Sequence, residues 1–114
     1  MMNKFSEALL KGNIELIKTF PKSDLHNHAS LGSRLSDFEA WAATTLPKVP
    51  EKMTRLEDMD QYLIEVLAPL LLNRAGFEYS IKGAFEQAVE DGVSHLGMSI
   101  DSFFAGVFDT IEQF

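Results

Sequence analysis

The stretch Pro21-Lys22-Ser23-Asp24-Leu25-His26-Asn27-His28 decides the fold, because it predicts a short strand that ends in two histidines. Residues 23–28 follow a proline and are too few for an independent helix, which favours an extended backbone. Side chains alternate along a strand, so His26 and His28 should point to one face and hold one metal ion together. Residues 29–33 then break the strand, which places both imidazoles at its carboxyl end, where α/β enzymes build active sites.

The composition is that of an ordinary soluble globular chain of one domain, with 114 residues of which 46% are apolar and 24% charged. The net charge of −7 argues against a nucleic-acid partner, since such proteins usually present a basic face. There is no cysteine, so a metal would have to be held by histidines and carboxylates. This composition is compatible with a reducing cytoplasm, which is the predicted location.

No stretch of the sequence predicts a targeting or membrane segment. Residues 1–18 carry five charged side chains among their apolar ones and lack the apolar run of a signal peptide. Residues 62–72 are the most apolar later stretch, but Glu65 and Pro69 interrupt them, and they are shorter than the roughly 20 residues that span a bilayer.

Helices are predicted on both sides of the first strand. Two short helices should precede it, separated by Gly12 as a terminating glycine and Asn13 as a new N-cap. After it, Ser36-x-x-Glu39 and Thr54-x-x-Glu57 have the form of capping boxes. They predict a helix to about residue 44, with Phe38 and Trp41 or Ala42 inward, and a long helix to about residue 73 that Pro69 kinks.

The second half of the chain predicts another helix and a second strand. The helix should run over residues 78–91 and end at Gly92, with an inward face formed by Ile81, Phe85, Ala88 and Val89. Residues 93–100 should form the strand, and the apolar spacing within residues 103–114 suggests a last helix. A strand, a helical crossover and a second strand predict a parallel βαβ unit, within a mostly helical α/β fold.

The segment from Pro21 to His28, followed by Leu31-Gly32-Ser33, resembles the opening of the adenosine deaminase family of metal-dependent amidohydrolases. That family begins with a helix, then Pro-Lys, an acidic residue, Leu-His-x-His and a short glycine-containing loop. The resemblance implies that residues 1–114 are the N-terminal part of a TIM (β/α)8 barrel, with about two of its eight strands. On this interpretation the chain is one truncated segment of a larger barrel.

The same resemblance implies a function. His26 and His28 would be two ligands of a catalytic zinc, or of another divalent ion such as iron or manganese. The implied reaction is hydrolytic deamination of a purine nucleoside or a similar amine, in which the metal lowers the pKa of a bound water and the resulting hydroxide attacks the ring carbon. The family's remaining ligands and its proton donor lie in later strands, so residues 1–114 alone should be inactive.

Three further residues are candidates for contact with the substrate: Ser30, Gly32 and Asp101. The family loop commonly carries an acidic residue that binds the sugar, whereas Ser30 or Leu31 takes that place here, so an amine or nucleoside-like substrate other than adenosine stays open. Asp101 follows the second strand and either lines a pocket or begins a turn. His95, near the start of that strand, should lie far from the histidine pair.

Two other interpretations remain from the sequence. The segment from Asp24 to Ser30 also approximates the Asp-x-His-x-His opening of PHP-type metal phosphoesterases, although the flanking Pro21-Lys22 and residues 31–33 favour the deaminase. The chain could instead be a non-catalytic helical module. If the two strands are part of an incomplete barrel, their unpaired edges predict that the chain self-associates.

Overall fold

A two-stranded parallel sheet organises the fold, with helices before it, between its strands and after it. The computed structural model describes residues 2–114, apart from the side chain of Phe103. The strands are β1 (Lys22–His28) and β2 (Val93–Ser99). The helices are α1 (Lys4–Leu10), α2 (Ile14–Lys18), α3 (Leu35–Ala42), α4 (Leu56–Tyr62), α5 (Ala68–Leu71) and α6 (Arg74–Glu90). A π-helical segment (Leu63–Leu67) joins α4 to α5, and two short 3₁₀ helices (Ser102–Val107 and Ile111–Gln113) follow β2. The chain is therefore mixed α/β, as predicted.

The turns around α1, α2 and β2 follow the local sequence. Gly12 adopts a left-handed backbone after α1 (φ 61°), and the Asn13 side chain accepts a hydrogen bond from the Leu16 amide at the start of α2. Gly92 is also left-handed (φ 74°) and ends α6. The Lys22 ammonium donates to the carbonyls of Ile17 and Phe20, at 2.8 and 2.9 Å, and so ties the end of α2 to β1. These predicted boundaries are confirmed.

Both predicted capping boxes are wrong in detail. The predicted helix at Ser36 begins instead at Leu35, and Glu39 accepts from the Leu46 amide at 2.9 Å rather than from its own helix start. At α4 the cap lies one residue later than predicted. Asp58 accepts from the backbone amides of Thr54 and Arg55, at 3.1 and 3.2 Å. These bonds, with the Arg55 guanidinium, lower the pKa of the Asp58 carboxyl.

The helix that was predicted to run to about residue 73 is broken by the π-helical segment. There the Ala68 amide donates to the carbonyl of Leu63, five residues earlier, instead of to Ile64. Pro69 follows at once, and a proline within a helix lacks an amide and clashes with the carbonyl four residues before it. Glu65 is the residue four before Pro69, and the wider π-helical turn moves its carbonyl away from the proline ring. The helix is therefore distorted one turn before the position of the predicted kink.

The inward face of α6 agrees with the prediction only in part, because Ala88 is buried and Ile81 packs against the core but the other two predicted residues are exposed. Phe85 and Val89 are 50% and 74% exposed, whereas a stripe of small residues at four-residue spacing is buried. That stripe is Gly76, Ser80, Ala84 and Ala88. The Ala84 methyl lies so close to Gly32 that a side chain on Gly32 would overlap it. The small side chain of Ala84 therefore allows α6 to approach the loop after β1, and the absence of a side chain at Gly76 allows a close approach to the Leu70 carbonyl.

The aromatic core lies among the helices and not on the sheet. It consists of Phe38, Leu67, Leu71, Phe77 and Phe104, all nearly inaccessible. The sequence predicted that Phe38 faces inward together with either Trp41 or Ala42. Trp41 is 39% exposed and stacks on Tyr79, with ring centroids 4.8 Å apart.

The prediction of a last helix over residues 103–114 is wrong, because two short 3₁₀ helices occupy that segment. No helix described in the structure is both long and apolar enough to cross a membrane.

Candidate metal centre and adjoining pocket

The two histidines of β1 converge at its carboxyl end. Their Nε2 atoms lie 3.1 Å apart, and the rings are tilted by 42° with centroids 5.1 Å apart. His26 is exposed and His28 is half-buried. At the neighbouring strand end, His28 is paired with Ser99, and the Ala29 amide donates to the Ser99 carbonyl at 3.0 Å.

The separation of the two ring nitrogens fits a shared divalent ion. Two nitrogens bound at about 2.0–2.1 Å to a tetrahedral zinc ion lie about 3.3 Å from each other. The observed 3.1 Å is close to that value, and it also suits a direct hydrogen bond in which one imidazole donates to the other. The pair can therefore provide two ligands on one side of an ion without rearrangement of the strand.

Two imidazoles fill half of a tetrahedral shell. Among residues 2–114 no group of three or more histidine, aspartate or glutamate side chains converges to complete it. His95 does not contribute, because it is exposed, is paired with Ser23 near the start of β1, and has its Nδ1 3.2 Å from the Ser94 hydroxyl. This is the location expected for His95 from the sequence.

A cavity of about 580 Å³ adjoins the histidine pair on the side of His28. Its polar side is formed by His28, Ser30 and Asp101. Its apolar wall comes from the loop after β1, α4, the π-helical segment, α5 with the residue after it, and the first 3₁₀ helix: Leu31, Met59, Leu63, Ile64, Leu67, Ala68, Leu71, Leu72 and Phe104. A few polar groups at one side of an otherwise apolar cavity are typical of small-molecule sites.

The three candidate substrate residues occupy different places. Ser30 and Asp101 line the cavity beside His28. The Asp101 carbonyl also accepts from the Phe104 amide at 3.1 Å, so this residue begins a turn as well. Gly32 is not among the residues that line the cavity. It lies against Asn27 and Ala84, where a Cβ would come within 2.6 Å of the Asn27 Oδ1 and of the Ala84 methyl.

Asp24 accepts two hydrogen bonds beside the histidine pair. Its Oδ1 accepts from the His26 amide at 3.1 Å, and its Oδ2 accepts from the Asn27 side-chain amide at 2.9 Å. The Asn27 bond foremost, then the His26 amide, lowers the pKa of the Asp24 carboxyl. Asp24 thus has a structural role, in which it holds the backbone of His26 and the side chain of Asn27.

The sequence did not identify the apolar wall or Asn27 as parts of this region. Met59, Leu63 and Leu67 lie in the long helix that the sequence predicts to about residue 73. Ile64 and Leu72 widen the apolar surface of this segment, and that width is the signal that could have indicated a cavity wall. Asn27 follows Asp24 by three residues, and short polar side chains commonly form hydrogen bonds with groups that close in the chain. This spacing is the signal that could have indicated the bond between Asn27 and Asp24.

Comparison with known proteins gives one similarity that agrees with the histidine motif. A protein of Treponema pallidum (strain Nichols) that carries the provisional name adenosine/adenine deaminase is 25% identical to this chain over 92 residues. The matched residues are 81% of this chain and 31% of that protein, so the chain spans less than a third of the length of this curated relative. No family model and no solved structure matches the chain. The sequence is thus deaminase-like at a low level of identity.

Proposed function

We propose that this chain provides the first part of the active site of a metal-dependent hydrolase of the adenosine deaminase type. The convergence of the His26 and His28 Nε2 atoms at 3.1 Å, beside an apolar cavity, carries the proposal. On this proposal residues 1–114 form the opening of a TIM barrel, with β1 and β2 as neighbouring strands. The similarity to the Treponema protein supports the same assignment.

The proposed ion is zinc or another divalent metal held by the Nε2 atoms of His26 and His28. A zinc ion in such a site is a Lewis acid that lowers the pKa of a water ligand to about 7, which makes a nucleophile available at neutral pH. The half-buried His28 forms part of the cavity wall, so a molecule in the cavity lies beside the metal ligands. The apolar residues of α4 and the π-helical segment cover one side of that molecule.

The proposed substrate is an amine on a planar ring, such as a purine or a purine nucleoside. The cavity wall carries Met59, Leu63 and Ile64, which suit the faces of a flat apolar ring. The Ser30 hydroxyl and the Asp101 carboxylate stand on its polar side and can bond ring nitrogens or an exocyclic amine. No carboxylate follows His28 in the loop, so sugar binding of the family's kind is not expected there.

Catalysis requires more than this chain contains. The histidine pair fills half of the ion's shell, and no third ligand converges on it among the described residues. We propose that further ligands and the proton donor come from barrel strands beyond β2. Ammonia release should therefore be measured with the product of the complete gene, and residues 1–114 alone should show none.

The metal site itself can be tested on residues 1–114. We expect Zn²⁺ to bind with one-to-one stoichiometry in isothermal titration calorimetry, and His26→Ala or His28→Ala to weaken binding at least tenfold, because each removes half of the protein's ligands. His95→Ala is the matched control and should bind as the unaltered chain does, since His95 lies at the other end of the sheet. Equal affinities for all three variants would contradict the proposed site.

The reaction is tested separately from the ion. The product of the complete gene, loaded with Zn²⁺, should release ammonia from adenine or adenosine. Release of phosphate from a phosphomonoester instead would favour the phosphoesterase interpretation of the Asp-x-His-x-His segment. If neither product forms and no metal binds, the chain is a non-catalytic module and the proposed function is wrong.

A further inference from the structure

The strand that carries the histidine pair is irregular where the pair begins. Asp24 is paired with Leu96 and Asn27 with Met98, so three steps along β1 correspond to two along β2. One extra residue is thus inserted in β1 opposite Gly97. Such a bulge bends a strand and redirects the side chains that follow it, and bulges are frequent beside active sites.

A side-chain bridge spans this bulge. Asp24 lies at its start and accepts from the His26 amide through Oδ1 and from the Asn27 side chain through Oδ2. The first bond takes up the backbone N–H of a residue that the irregular ladder leaves out of register. The second fixes the residue between the two histidines. The bridge therefore joins the backbone of His26 to the side chain that precedes His28.

The surroundings hold the bridge in one arrangement. The Asn27 Oδ1 atom is buried without a hydrogen-bond partner among the described residues, so the Asn27 amide gains a bond only by donating to Asp24. Gly32 leaves room for that oxygen. On the other side, a Cβ on Gly97 would lie 3.2–3.4 Å from the backbone of Leu25, so a glycine there accommodates the bulge.

We infer that Asp24 and Asn27 are positioning residues that hold the His26 and His28 rings at metal-binding separation. The inference rests on the proposed metal site, but the arrangement of the rings can be measured without any metal. Partners that fix the orientation of metal ligands typically change metal affinity 10- to 100-fold when they are removed. Neither Asp24 nor Asn27 is itself proposed as a ligand.

A cycle of exchanges tests this role. Asp24→Asn turns a nitrogen of residue 24 toward the Asn27 amide, and turning Asn27 over to accept from it would bury the Asn27 NH2 group without an acceptor. Asn27→Asp places two carboxylates together, so each single change disrupts the bridge. The double variant D24N/N27D restores it with donor and acceptor exchanged, because the amide oxygen at position 24 still accepts from the His26 amide and its nitrogen donates to the carboxylate. Asp60→Asn, an exposed acid-to-amide change on α4, is the matched control.

Two measurements follow the cycle. In the metal-free protein, the nuclear Overhauser effect between the two imidazole rings, whose centroids are 5.1 Å apart, should be lost in each single variant and return in the double one. Zn²⁺ affinity should fall 10- to 100-fold in each single variant and recover at least tenfold in the double one. A merely structural contribution would lower stability without a matching change in either measurement.

The outcomes separate this inference from the proposed function. If the single variants match D60N in the ring-to-ring effect, or if the double variant is no better than the singles, the positioning role is wrong. If the unaltered chain binds no Zn²⁺ while the ring-to-ring effect follows the cycle, the bridge positions the histidines and the proposed metal site fails. If Zn²⁺ binds and the cycle shows no recovery, the metal site stands and the positioning role fails.

Discussion

Gly12 and Gly92 share a left-handed backbone but not the same surroundings. Nothing lies within 4 Å of the position that a Cβ would take on Gly12. On Gly92 a Cβ would overlap the carbonyl oxygen of Lys18 and lie 3.1 Å from the Lys22 ammonium. The position of each glycine after a helix predicted its role as a helix terminator. The close approach at Gly92 depends on how α2 meets the start of β2, and the local sequence does not show that contact.

Substitution of the two glycines should therefore have unequal effects. Gly12→Ala should destabilise the chain by about 1–2 kcal/mol, the cost of a left-handed backbone for a residue with a Cβ. Gly92→Ala should cost more than Gly12→Ala, because the Lys18 carbonyl must also move. Urea unfolding of both variants, followed by circular dichroism, checks the difference. Equal midpoints would show that α2 gives way without cost.

The helices and strands show which parts of the fold are local. Both strands and the C-terminal ends of α1 and α6 were predicted, because Pro21, Gly12 and Gly92 act on residues close to them in the chain. The start of α6 was not, since this helix begins at Arg74, four residues before the predicted start. The inward face of α6 was predicted only in part. Ala88 and Ile81 face inward as predicted, but Phe85 and Val89 are exposed, and the buried Ala84 lies against Gly32. The small side chain of Ala84 allows this close approach.

The π-helical segment should depend on Pro69. Pro69→Ala restores an amide that can donate to the Glu65 carbonyl, so residues 56–71 should become one regular helix. We expect a gain in stability of no more than about 3 kcal/mol, the difference between proline and alanine within a helix. Leu63, Ile64 and Leu67 line the cavity, so its shape should change as well.

Helical contacts between residues four apart, measured by nuclear Overhauser effects over residues 63–71, would report this conversion. Pro47→Ala is the matched control, because Pro47 lies outside every helix and its carbonyl can still accept from the Tyr62 hydroxyl. A five-residue pattern that persists in the Pro69 variant would show that packing of the segment, and not the proline, sets the wide turn.

The molecule as a whole is more open than its length requires. Its radius of gyration is 16.7 Å, whereas a compact domain of this size has about 13 Å. Its accessible surface is 8063 Å², against about 6300 Å² for a monomer of its mass. The cavity of the candidate site lies between separate parts of the chain. Its walls come from the end of β1, from the helices α4 and α5 with the π-helical segment between them, and from the residues after β2. The sequence indicated the histidine pair but could not assemble that cavity, whose walls are distant in the chain.

We expect isolated residues 1–114 to self-associate through the uncovered sheet. Leu25 is 80% exposed on β1, and each strand has one unpaired edge. Sedimentation at several concentrations should give a mass above that of a monomer. Leu25→Lys should lower that mass, since it adds a charge to the exposed strand. Val49→Lys, on an exposed loop, should leave it unchanged, and a monomer at all concentrations would contradict the expectation.

The contact between Trp41 and Tyr79 gives the chain an optical reporter. Trp41 is the one tryptophan in the sequence, and its ring lies nearly parallel to that of Tyr79, with an interplanar angle of 14°. The stack joins α3 to α6, and the Tyr79 hydroxyl donates to the Asp37 carbonyl at 3.0 Å in the same region. Intrinsic fluorescence excited in the indole band therefore follows the docking of these two helices without any introduced label.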